Sequence, residues 1–116
     1  MSSLGEKENA VFYYKKAAWI RNHVKDISPG DLSVTYLGLS NTFFEMAEQS
    51  GKKIYCRHYL KMSLYYLEKA KKIRISEIRK GNQKWNLVKV EEQEQRIFAK
   101  LQNIRSSYTD FQYDQT

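Results

Sequence analysis

From Lys52 to Lys80 the chain holds neither glycine nor proline, and Gly51 and Gly81 bracket the stretch. Within it Tyr59, Met62, Tyr66, Ala70 and Ile73 recur at steps of three and four, the period of a helix with an apolar stripe. Leu60, Leu64, Leu67 and Ile78 put apolar side chains on further sides. So broad an apolar surface predicts a long helix over 53–80 that lies centrally and touches several neighbours. The run Arg74-Ile75-Ser76-Glu77-Ile78 reads locally as a strand, but it lies inside the continuing helical period and is assigned to the helix.

The flanking segments carry the same period. Residues 9–27 predict a first helix with Tyr13, Ala17, Ile20, Val24 and Ile27 on its stripe. Ser28-Pro29-Gly30-Asp31 then ends one helix and starts the next: Ser28 is a good cap, Pro29 suits the first helical position, and Asp31 stands at box-like spacing. A second helix follows over about 30–50, with Leu32, Tyr36, Leu39, Phe43 and Met46 as its stripe and Gly51 as a left-handed terminator. Gly81-Asn82 breaks the chain again, and Trp85-Asn86-Leu87-Val88 reads as an extended connector. The last helix starts near Val88 or Val90, has Glu91, Glu92 and Glu94 in its first turns, and turns Ile97, Phe98, Leu101 and Ile104 inward to about Tyr108. The expectation is an all-α fold, an antiparallel bundle of four amphipathic helices, or five. It makes one domain over 1–108, with 109–116 a polar and aromatic tail that frays or docks on a partner.

Length and composition narrow the class. A chain of 116 residues has room for one core. With 41% hydrophobic and 28% charged residues it is not a disordered tail, and no apolar run is long enough to span a bilayer. The first residues lack the layout of a signal peptide. The single Cys56 excludes an internal disulfide and a cysteine-built zinc site. These features predict a cytoplasmic (nucleoid-associated) or nuclear protein with no membrane association.

The net charge of +7 is unevenly placed. Between Lys52 and Lys80 ten lysines and arginines meet only Glu68 and Glu77, so that segment carries +8 and the remainder about −1. Such a concentration attracts phosphate backbones or an acidic protein surface, although a merely solvated helix face has the same composition. The candidate contacts are Lys61, Lys69, Lys72, Arg74, Arg79 and Lys80, which would position a ligand without reading its sequence.

Catalytic chemistry has no constellation to rest on. The five glycines are scattered and form no phosphate loop. His23 and His58 are far apart, and each reads as an ordinary surface or half-buried helix residue. Asp26 could orient His23, but no nucleophile accompanies them. Arg57 and His58 follow Cys56 and would lower its thiol pKa if they folded towards it, yet buried free cysteine is the commoner state. The acidic group at 91–94 is explained by a helix start. The expectation is a protein that is not an enzyme and uses no cofactor.

Aromatic residues are unusually frequent, at 14%. Tyr13-Tyr14, Phe43-Phe44 and Tyr65-Tyr66 are adjacent pairs, and neighbours on a helix cannot both face one core. Tyr14, Phe44, Tyr65 and the connector residue Trp85 are therefore candidate protein-interface residues. Stacking on bases is the alternative use of aromatics interleaved with lysine and arginine.

The second half of the chain has a resemblance. A basic helix from Arg57-His58-Tyr59-Leu60 through Lys72-Ile73-Arg74 leads into Ile78-Arg79-Lys80-Gly81, then Asn86-Leu87, then Glu91-Glu92 and a helix with Phe98 and Leu101. This is similar to the helical domain of GINS subunits, the replication proteins that bridge the replicative helicase. Phe12-Tyr13-Tyr14-Lys15-Lys16-Ala17 resembles that family's first helix. The β domain usual in the family has no counterpart here, Lys89 and Val90 stand where it tends to have a proline or hydroxyl cap, and the loop at 28–31 is shorter.

The resemblance implies a non-catalytic subunit of a DNA replication or other nucleic-acid-processing assembly, binding protein partners and, through the basic helix, DNA or RNA. The alternative is a small helical regulator acting directly on nucleic acid, as a dimer or other homo-oligomer. The Ser28–Asp31 turn between two helices is a weak helix-turn-helix cue for it.

Overall fold

The computed structural model describes the backbone of residues 4–24 and 28–114, and the side chains of 5–24 and 28–104. Four helices, all of the regular structure among the described residues, follow one another: α1 (Leu4–His23), α2 (Pro29–Gln49), α3 (Lys53–Arg79) and α4 (Val88–Asp114). The fold is all-α, an antiparallel bundle, as the periodicity predicts.

The helix ends obey local chemistry. Ser28 caps α2, its Oγ accepting from the Gly30 N–H at 3.2 Å, and Pro29 follows at the first position. Gly81 ends α3 in the left-handed conformation (φ 88°), and its N–H donates to the Ile78 carbonyl while that of Asn82 donates to Glu77. That pairing is the Schellman arrangement, which a side chain at Gly81 would strain. Gly51 does not play this part. Helix α2 stops at Ser50 with extended backbone, the Ser50 N–H donating to the Ala47 carbonyl at 3.3 Å. The last helix runs on through 109–114, where the sequence predicts a tail; the side chains of Tyr108, Phe111 and Tyr113 lie outside the described residues.

The predicted central helix is displaced by one. Among the described residues the backbone of α2 runs close to α1, α3 and α4, whereas that of α3 runs close to α2 and α4 only. On one side of the α2–α3 pair, Leu37, Phe44, Ala47, Leu60, Leu67, Ala70, Val90 and Ile97 form the main core with α4. On the other side Leu39, Phe43 and Met46 pack with Val11, Tyr36, Tyr59, Met62 and Tyr66 beneath α1. Ser40 and Ser63, both fully buried, let the two inner helices approach, Ser63 Oγ donating to the Ser40 carbonyl at 2.7 Å.

Helix α1 packs on a different face from the one the sequence suggests. Tyr13 is 69% exposed, and Ile20 and Val24 are also exposed, at 41% and 44%; Ile27 lies outside the described residues. The face against α2 is Lys7, Val11, Tyr14, Ala18 and Arg21. Two polar anchors hold this register. Lys7 pairs with Glu45, and Arg21 Nη1 donates to the Asp31 carbonyl (2.6 Å) and to Thr35 Oγ1 (2.9 Å). A long cation can lay its stem along a helix interface while its head is satisfied, so apolar counting misassigns such a face.

Candidate nucleic-acid interface

Helix α3 spreads its cations over several sides because successive residues of a helix point about 100° apart. Lys61, Lys72 and Arg79 fall on its outward side at steps of eleven and seven, with Tyr65 and Glu68 on the same stripe. All three cations are exposed, as is Lys80 at the helix end. Among the described residues none of the four has a carboxylate within ion-pair reach. Lys71, on the α4 side, is neutralised by Glu94 at 3.1 Å. The Glu94 hydrogen bond and charge raise the Lys71 pKa above the ordinary lysine value.

Arg74 points inward. It is 6% exposed, donates from Nε to Ser33 Oγ at 3.1 Å and from Nη1 to the Asn86 carbonyl at 3.4 Å, and lies 5.3 Å from the Trp85 ring. Burial pushes its pKa down from the arginine value. The guanidinium ties α3 to the start of α2 and to the α3–α4 connector, so it leaves the set of ligand contacts.

The predicted aromatic interface residues divide similarly. Phe44 is 5% exposed and sits in the α2–α4 core, with the Arg96 guanidinium 4.5 Å from its ring. Phe43 and Phe44 are both buried because α2 has neighbours on both sides. Trp85 is half-buried against Gly30, where a Cβ would clash with the indole, and among the described residues its Nε1 has no hydrogen-bond partner. Tyr14 lies over Gly38, whose missing side chain makes room for the ring; a Cβ there would meet Cε1 at 2.7 Å. Tyr65 is 53% exposed and meets the edge of Tyr66 at 5.1 Å.

Lys69 belongs to a groove that the sequence does not disclose. Helices α1 and α3 both pack on α2, and among the described residues their backbones do not come together. The open slot between them has a volume of about 250 Å³. Lys15, Ala18, Trp19 and Asn22 form one wall, Tyr65, Tyr66 and Lys69 the other, and Tyr36 and Leu39 the floor. The Lys69 ammonium sits 5.0 Å from the Tyr65 ring and 5.6 Å from that of Tyr36, and Tyr36 stacks on Tyr66 at 6.0 Å. Burial, with Tyr65 beside it, raises the Tyr66 pKa. Among the described residues no carboxylate lines the slot. The one signal for it in the sequence is Trp19 standing one turn from Lys15 on α1, off the predicted stripe.

Other chemistry stays dispersed. His58 is exposed, and His23 Nδ1 donates to the Trp19 carbonyl at 2.7 Å. Cys56 is buried, and burial raises its pKa more than Lys100 lowers it, so the thiol is held in its unreactive form. Among the described residues no three His, Cys, Asp or Glu side chains are grouped to hold a metal ion, and no helix is long and apolar enough to cross a membrane. No family model, curated protein or solved structure matches this chain.

Proposed function

We propose that the chain is a non-catalytic helical binding protein, a subunit of a nucleic-acid-processing assembly of the kind that the GINS resemblance implies. The observation that carries this reading is the outward stripe of Lys61, Lys72 and Arg79, joined by Lys80; Glu68 shares the stripe, but among the described residues no carboxylate lies within ion-pair reach of any of the four. An unpaired row of cations on a rigid helix gains most from a polyanion, because each phosphate it meets releases condensed counterions. The contact is to the backbone and does not read sequence. The protein-facing surface is the outer side of α1, where Phe12, Tyr13, Ile20 and Val24 are exposed together. Large apolar groups left in water on one helix mark a protein contact.

Charge reversal tests it. Lys61→Glu, Lys72→Glu and Arg79→Glu combined should abolish binding to nucleic acid at moderate salt and reduce the salt slope by about two units. Unchanged affinity removes the stripe from the account, and affinity only for an acidic protein surface reassigns it. A second reading, a regulator that binds nucleic acid directly as a dimer, draws on the same exposed face of α1, which would then meet a second copy. Sedimentation of the isolated chain with and without nucleic acid separates the two.

A further inference from the structure

We infer that the groove between α1 and α3 is a seat for an unpaired base of single-stranded nucleic acid, stacked between Trp19 and Tyr65 with its flanking phosphates on Lys15 and Lys69. This rests on the polyanion reading above and narrows it to a single strand.

Three features of the slot point the same way. Its walls are aromatic and uncovered: Trp19 is 63% exposed and Tyr65 53%, facing a common opening of about 250 Å³. The rings of Trp19 and, on the floor, Tyr36 are also held in place. The indole of Trp19 stacks on His23 at 4.3 Å and 24° between planes, and the His23 ring is pinned by its bond to the Trp19 carbonyl. On the floor, Asn22 Nδ2 donates to the Tyr36 hydroxyl at 3.2 Å. An ordered ring loses little entropy when a base stacks on it. The third feature is charge, since among the described residues two lysines line the slot and no carboxylate does. Its occupant is therefore both flat and anionic.

A duplex meets only half of that description. Its bases are stacked on one another, so it offers phosphates to the outer stripe and leaves Trp19 and Tyr65 in water. A single strand offers both, and stacking on aromatic side chains is tolerant of base identity. An acidic, tyrosine-rich peptide shares the chemistry in outline, and the experiment addresses it.

The test is a fluorescence titration of the full chain with oligothymidylate of about ten nucleotides, against a duplex of equal length. The single strand should bind more tightly and quench tryptophan emission. Trp19→Phe should remove the quenching, which assigns the signal to Trp19 instead of Trp85. Trp19→Ala and Tyr65→Ala, both at exposed positions, should each weaken single-strand binding about tenfold and leave duplex binding unchanged. Equal affinity for both forms, with no effect of either alanine variant, overturns the groove assignment while the outer stripe stands. Failure of both nucleic acids to bind overturns the stripe and the groove together. A glutamate–tyrosine copolymer that displaces the oligonucleotide and quenches Trp19 equally well reassigns the groove to an acidic peptide.

Discussion

Arg74 and Arg79 stand five residues apart on one helix and do opposite work. Arg74 is enclosed, bonded to Ser33 and the Asn86 carbonyl and covered by Trp85, and joins three segments of the fold. Arg79 lies in solvent with no carboxylate within ion-pair reach among the described residues. A charge that the fold has satisfied is part of the structure, and one that the fold leaves unsatisfied is available to a ligand. The charge count along α3 does not distinguish them; their angular position does. The inner and outer faces of α3 should therefore respond to mutation in different observables.

The largest effect is expected on the outer face. Reversing Lys61, Lys72 and Arg79 together should weaken nucleic-acid binding by about 100-fold or more at low salt, since three attractive contacts become repulsive. The urea midpoint should stay within experimental error, because surface positions without partners carry little stability. A large loss of stability in that variant would break the distinction between the faces.

Arg74→Ala tests the other half. Removing the guanidinium withdraws a donor from Ser33 and the Asn86 carbonyl and opens space beneath Trp85, at a cost of about 2 kcal/mol in urea denaturation. Ser33 keeps its own bond to the Gly30 carbonyl at 2.6 Å, so it is not left unsatisfied. Arg74→Met, which retains the stem against the indole, should recover part of the loss. In both variants the folded protein should bind nucleic acid within about twofold of the wild type. A deficit as large as that of the outer-face variant would return Arg74 to the ligand contacts.

A smaller effect separates the groove from the stripe. The α1 wall is held to α2 partly by Tyr14 lying over Gly38. In Gly38→Ala the ring must move, which should cost about 1 kcal/mol after the helix-favouring effect of alanine is set against the clash. With Tyr14→Ala in the background the clash is gone, and the same substitution should become stabilising. A displaced α1 wall should also reduce the preference for single strands over duplex and leave the salt slope alone. If the two substitutions add without coupling, Tyr14 and Gly38 do not act as a pair.

How much of this was legible depended on how many neighbours a helix has. Helices α2 and α3 are recognisable because their apolar residues are many and their ends carry Ser28-Pro29 and Gly81. The face of α1 was misread because Tyr13, Ile20 and Val24 have the right spacing but stay exposed, while Lys7 and Arg21 are anchored to α2. Phe44 was misplaced for a related reason: an adjacent aromatic pair must have one exposed member only when its helix has one buried side. Arg74 could not be sorted from Lys72 and Arg79 by residue type, and its inward position follows from its phase with Leu60, Leu67 and Ala70. The groove is invisible in the sequence because it depends on α1 and α3 flanking α2 with their backbones apart, which no local pattern states.

The finest comparison is between Lys71 and Lys72, adjacent and chemically identical. Lys71 meets Glu94 of α4, and Lys72 meets no carboxylate among the described residues. Because Glu94 raises the Lys71 pKa, the folded state holds that proton more tightly than the unfolded chain. The stabilisation is then fully present below the ordinary lysine pKa and lost as pH rises through the higher folded value. Lys71→Met should thus lower the urea midpoint slightly at pH 7, by less than Gly38→Ala does, with the gap to wild type closing in strongly alkaline solution. Lys72→Met should leave stability unchanged at either pH and reduce nucleic-acid affinity instead. The two variants exchange observables only if α4 docks elsewhere on α3, and a midpoint shift for Lys72→Met with none for Lys71→Met would show that it does.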